Sequence, residues 1–287
     1  MFGKERGEIK FDIVVHSMGG LIARYYLLRY GDQSLPKDGS PPNLNWAGAK
    51  NVNRLIMVGT PNAGSVLAFE DLVHGKHFAP KWLRAIGAVS IPSYSAAVMG
   101  TYPSIYELMP RVRHRAFVEN LSDQNVDVYD VELWEKYGWG PLAADQDKDL
   151  QVILPQTQTV EQRREIALEH IAKCLRNAQR FHQALDRAAK PPANLKISLV
   201  AGDAEQTKER VQLDLTIGAF EVTKYGPGDG TVLRSSALAD ERAGGDYQPK
   251  LQSPIHLHDV TFLFRDHLSM TKDPMFSDNL LFRLLEE

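Results

Sequence analysis

The residues best suited to chemistry begin with Ser17, in the run Val15-His16-Ser17-Met18-Gly19. A serine hydroxyl is a weak nucleophile until a neighbouring base takes its proton. It must also stand clear of the backbone, where an electrophilic carbon can reach it. A tight turn from a strand into a helix meets the second need and aims the N–H groups of the helix start at a developing negative charge. The Met18 N–H is the first such donor. Gly19 supplies the small residue this turn wants two positions after the serine, whereas Val15 occupies the position two before it, where glycine is usual. The structural alternative is a serine that caps the following helix.

A nucleophile of this kind needs an acid and then a histidine later in the chain, each following a later strand. His267, in Asp266-His267-Leu268-Ser269-Met270-Thr271, comes just after the last expected strand. There it would take the serine proton and later give it to a leaving group. His256 and His258 enter the same strand at its other end and are expected to lie too far away. Two carboxylates fit the acid, which holds the histidine tautomer and stabilises the imidazolium. Asp203 directly follows a strand; Asp229 stands between Gly228 and Gly230 in a sharp turn. Position alone leaves both open.

The elements that must position these residues are readable. Residues 11–15 (FDIVV) form an apolar, β-branched run that predicts a strand buried on both faces. A helix is expected over residues 21–30, stopped by Gly31 and Asp32. After a loop, residues 52–58 (VNRLIMV) predict a second buried strand, closed by GTPNAGS. Strand, helix and strand in this order make a parallel crossover. From about residue 66 to 192 helical stretches replace strand alternation. The clearest spans residues 160–189, where Leu168, Ile171, Leu175, Ala178, Phe181 and Leu185 make one apolar stripe. Pro191-Pro192 leads back to a strand at 195–201, a hairpin or irregular extension at 211–222, a turn at 225–231, a strand at 260–264 and a helix at 278–285. The expected organisation is a doubly wound, mostly parallel α/β core in two parts, 1–66 and 193–287, around a helical cap at 67–192.

Bulk properties narrow the function classes. The chain has 287 residues, 43% hydrophobic and 24% charged, enough apolar mass for a sizeable core. A net charge of -3 speaks against a nucleic-acid partner. Cys174 is the single cysteine, so no internal disulfide forms; with no visible signal segment this slightly favours a cytoplasmic location. No apolar run approaches the roughly 18 to 20 residues that span a bilayer.

Five segments in order resemble the lecithin:cholesterol acyltransferase-like branch of the α/β-hydrolase superfamily and its bacterial lipase-like relatives. They are FDIVVHSMGGLIARYYL, LIMVGTPNAGS, YELMPR, GPGDGTVLRSSA and DHLSMTKDPMFSDNLL. The resemblance places the family's serine on Ser17, its acid on Asp229 rather than Asp203, and its histidine on His267. It implies an α/β-hydrolase fold and ester chemistry on acyl lipids, by hydrolysis or transfer to an alcohol, through an acyl-serine and without metal or organic cofactor. Substrate identity does not carry over, because the cap varies most in such families.

The same resemblance implies that the nucleophile strand is the fifth of its sheet. The N-terminal strands and the loop with a second oxyanion donor are then expected to be missing, with residues 3–8 the tail of the preceding helix. An N-terminal segment that complements the fold is the corresponding expected partner. Trp82, Leu83 and Ile86, near Pro80, suggest a lipid-surface contact through the cap, against the blander expectation that they pack inside it. The competing reading is a non-catalytic module of the same fold, favoured by Val15 and the missing front; a peptidase on this fold ranks lower.

Overall fold

A computed structural model describes residues 9–77, 93–243, 245 and 249–285. The principal strands are β1 (Phe11–His16), β2 (Val52–Val58), β3 (Phe117–Glu119), β4 (Lys196–Gly202), β5 (Glu205–Leu213), β6 (Phe220–Gly228) and β7 (Asp259–Leu263). Of these, β1, β2, β4 and β7 form a 4-stranded sheet in that order. Every pairing in it is parallel. The apolar runs of β2 and β4 serve both faces, as a covered parallel sheet requires. Leu55 and Met57 of β2 pack on one side with Ala23, Leu28, Leu199 and Ala237. Ile56 and Val58 pack on the other with Val200, Leu263, Met270 and Phe276. The chain is therefore a mostly parallel α/β fold with its sheet covered on both faces.

Three sequence expectations need correction. Strand β1 is not buried on both faces: Phe11 is 57% and Val14 43% exposed. It lies at an edge, paired among the described residues with β2 alone. An apolar run looks the same whether its strand is central or terminal, so composition could not make this distinction. The helix after Ser17 is α-helical only at α1 (Gly19–Ile22); Ala23–Arg29 continues as a wider π-helix in which the Tyr30 N–H donates to the Tyr25 carbonyl at 2.9 Å. The expected turn at 225–231 is in its first half the end of strand β6; Asp229 bridges Glu205, and only Gly230 and Thr231 bend.

The π-helical stretch and its capping residue bury Arg24, Arg29 and Tyr30 against the C-terminus of the long helix α3 (Val160–Asp186), which follows α2 (Val66–His74) in the chain. The last carbonyls of a helix have no partner within it. Here Arg24 and Arg29 each donate to the Leu185 carbonyl at 2.8 Å, and the Tyr30 hydroxyl donates to Ala184 at 2.7 Å. Cations at a helix C-terminus are also favourable to its dipole. The cost is visible in Arg24: burial, with Arg29 nearby, pulls its pKa down to about 9.

The residues between β2 and β4 share a second apolar centre, in which Phe69, Leu72, Trp134, Trp139, Ile171 and Leu175 meet. Val211 and Leu213 of β5 join that cluster, and β5 pairs in parallel with β3 and antiparallel with β6. The hairpin at 205–228 therefore packs with this second centre although it follows β4 in the chain.

Candidate active site

Ser17 stands at the turn between β1 and α1. Its φ is 54°, in the left-handed region that non-glycine residues rarely occupy. The strained backbone is held on both sides. The Ser17 N–H donates to the Val58 carbonyl at 2.8 Å, extending the β1–β2 pairing into the turn, and the Ser17 carbonyl accepts from Gly20. No side chain caps α1, whose N-cap is Met18, so Ser17 is not a helix cap. Val15 fits the turn without crowding the next helix: even a Cβ built at Gly19 would lie 3.4 Å from the Val15 Cβ, an ordinary van der Waals contact.

The Ser17 Oγ lies 2.9 Å from His267 Nε2, and His267 Nδ1 lies 2.8 Å from Asp229 Oδ2. With Nδ1–H donating to the carboxylate, Nε2 is free to accept the serine proton. Both His267 and Asp229 are buried. Asp229 is oriented by its own turn, since its Oδ1 accepts from the N–H groups of Thr231 and Val232 at 2.9 and 2.6 Å. The His267 N–H donates to the Asp229 carbonyl at 2.9 Å. On the C-terminal side, Asp266 accepts from the N–H groups of Leu268 and Ser269.

Strand ends make room for this pair. Gly59, just past β2, has φ +56°, and a Cβ there would sit 2.5 Å from Met270 Cε and 3.2 Å from His267 Nδ1. Gly202, at the end of β4, would place a Cβ 2.5 Å from that of Asp229. A side chain at Gly202 would push Asp229 away, and one at Gly59 would crowd Met270 and His267.

On the helix after Ser17 lies a buried junction that sequence reasoning missed. Asn62 Oδ1 accepts from Arg24 Nη1 at 3.0 Å, and its Nδ2 donates to the Ala237 carbonyl at 2.7 Å. Its own carbonyl accepts from Arg111 Nη2 at 2.9 Å. Arg111, the last residue of YELMPR, also pairs with Asp186 at 3.0 Å. Asn62 thus ties the helix after Ser17 to the helix α4 (Arg234–Ala237) that follows the acid loop. The motifs GTPNAGS and YELMPR contained Asn62 and Arg111, but nothing in their spacing announced that they meet.

Electrostatics around this junction are strongly perturbed. Burial favours the neutral form of Asp186, but Arg111 and Arg113 outweigh it and hold the carboxyl well below the usual range. Burial, reinforced by Arg111, lowers the His182 pKa to about 3, and burial raises Glu107 of YELMPR to about 7.

The remaining sequence candidates lie elsewhere. The Asp203 carboxylate pairs with Arg234 at 3.0 Å. His256 is exposed, and His258 precedes β7 at the end away from His267, its N–H donating to the Ile197 carbonyl. Trp82, Leu83 and Ile86, like residues 3–8, fall outside the described residues. Among the described residues, no group of His, Cys, Asp and Glu is arranged to hold a metal ion.

Comparison with known proteins adds a family. The family model described as lecithin:cholesterol acyltransferase matches residues 4–190. Among solved structures, the Tle4–Tli4 complex aligns at 16% identity with a TM-score of 0.55, over 96% of this chain and 59% of that chain. This chain thus spans less than two thirds of that chain's length. Lipase 1 from Pelosinus fermentans aligns at 13% identity with a TM-score of 0.38, over 98% of this chain and 74% of the other. No curated protein matches the sequence.

Proposed function

We propose, since the chain belongs to the lecithin:cholesterol acyltransferase family, that it is a serine-dependent acyl-ester hydrolase or O-acyltransferase acting on acyl lipids. The observation that carries this reading is the hydrogen-bonded line from Ser17 through His267 to Asp229. In the first step the Ser17 Oγ bonds to the acyl carbon while its proton passes to His267 Nε2. The charge on the carbonyl oxygen is met by the Met18 N–H; one such donor is typically worth about 10²–10³ in rate. The tetrahedral centre collapses, the ester C–O bond breaks, and the leaving alkoxide takes the proton from His267. Water or an acceptor alcohol then gives its proton to His267 and attacks the acyl-serine, and Ser17 recovers its proton as the acyl group departs. Asp229 keeps Nδ1 protonated throughout and stabilises the transient imidazolium.

The same reading assigns 1–66 and 193–287 to the hydrolase core and 67–192 to a cap. The parallel sheet supports it by drawing its strands from the first two segments. The test is labelling with a fluorophosphonate probe, followed by turnover of esters in an acyl-chain-length series. Labelling and turnover that vanish in Ser17→Ala are expected. Labelling that persists in Ser17→Ala, or no Ser17-dependent turnover of any ester, would overturn the proposal.

A further inference from the structure

His267 is held by its main chain as well as its ring. Its N–H donates to the Asp229 carbonyl, and its own carbonyl accepts from His16 Nε2 at 2.9 Å. A carbonyl can only accept, so His16 Nε2 carries a proton. The two imidazole rings also pack, with centroids 4.7 Å apart and planes inclined by 43°. His16 is the last residue of β1 and immediately precedes Ser17. The donor that grips the histidine loop is therefore one peptide bond from the nucleophile.

We propose that His16 is a positioning residue for the reaction assigned above, fixing the loop of His267 against the strand end that carries Ser17. The inference rests on the reading of Ser17 as nucleophile. The loop needs such a tether. Phe264 and Leu268 are 80% and 74% exposed, and the nearest buried apolar anchors are Leu263 and Met270, so between them apolar side chains do little to hold the backbone beside His267. The Asp229 contacts fix the histidine relative to the acid loop. Apart from the reacting Ser17–His267 pair itself, the His16 bond is what ties it to β1 within this constellation. The separation of reacting atoms is a sensitive quantity, since a shift of about 1 Å can cost about 10² in rate.

Two substitutions separate the hydrogen bond from the ring packing. His16→Phe keeps an aromatic ring and loses the donor. His16→Gln keeps an N–H donor at a similar reach and loses the ring. We expect His16→Phe to lower kcat and the rate of fluorophosphonate labelling by about 10- to 100-fold, with KM and the thermal midpoint near wild type. His16→Gln should recover most of that loss. Equal losses in the two variants, or a wild-type rate in His16→Phe, would overturn the proposal. A second measurement does not depend on turnover: amide hydrogen exchange of residues 265–269 should quicken in His16→Phe and not in His16→Gln. Unchanged exchange in His16→Phe rejects the tether even in an inert protein. Absence of Ser17-dependent labelling in the wild type counts against the nucleophile reading alone and leaves the exchange measurement to decide the role of His16.

Discussion

Asn62 donates through Nδ2 to the main-chain carbonyl of Ala237 at 2.7 Å, and neither residue is exposed. The bond links the loop after β2 to the short helix after the acid turn, while the Asn62 Oδ1 receives Arg24 from the helix after Ser17. The segments that carry Ser17 and Asp229 are thus braced against one buried amide. Asn62→Ala would leave the Arg24 donor and the Ala237 acceptor unmet, at about 1–3 kcal/mol for each such group. Denaturant unfolding should show that loss, and Asn62→Asp, which replaces the donor facing Ala237 by an acceptor, should not restore it.

The acid can be tested without disturbing the fold. Asp229→Asn has nearly the same volume but no longer demands a proton on His267 Nδ1. If His267 adopts the other tautomer, Nε2 cannot accept from Ser17. We expect kcat to fall by about 10⁴ with a nearly unchanged KM in ester turnover. Asp203→Asn, whose carboxylate faces Arg234 instead, should turn over esters at the wild-type rate.

The two carboxylates that meet Arg111 and Arg113 should differ greatly in what they contribute. Asp186, 14% exposed, pairs with Arg111, only 2% exposed, and also with Arg113, which is 45% exposed and reaches Glu241 as well. Breaking a buried pair strands a charge at about 3–5 kcal/mol; an exposed pair is worth at most about 1 kcal/mol. Asp186→Asn should therefore lower stability several-fold more than Glu241→Gln in matched unfolding titrations. The Asp186 carboxyl titrates below its ordinary value, so its contribution is present above pH 4 and fades as the medium is acidified. Acid unfolding should begin at higher pH when Arg111 is replaced.

Glu107 should give the opposite pH signature. Burial raises its pKa from 4.5 to about 7, so the folded state binds a proton that the unfolded state has released. Stability associated with this group is full below about pH 4.5 and is lost as pH rises toward 7. Glu107→Gln stays neutral throughout. Its unfolding free energy should match wild type at low pH and exceed it above pH 7, as thermal melts across that range would show.

Much of the fold was legible in the sequence because its signals are local. The runs VNRLIMV and LKISLVA could be read as strands of a covered sheet, since β-branched residues without polar alternation suit nothing else at that length. The stripe from Leu168 to Leu185 marked its helix by spacing alone. Less legible were the features that depend on who the neighbours are. FDIVV has the composition of an interior strand, yet it lies at an edge. The helix after Ser17 opens into π-helical geometry where Arg24, Arg29 and Tyr30 reach carbonyls at the end of α3, which follow far along the chain.

By itself the sequence determined a strand-turn-helix around Ser17, the glycines that let an acid turn at Asp229, and a histidine just past the last strand, because residue type and order fix local backbone geometry. It left the choice between Asp203 and Asp229 to resemblance. Only the tertiary structure decided which carboxylate meets His267. That choice depends on β4, β7 and the glycines at positions 59 and 202 bringing distant loops to one end of the sheet, within the few ångströms over which a proton can move. The roles of His16 and Asn62 belong to the same level, since a hydrogen bond across hundreds of residues has no signature until the chain has folded.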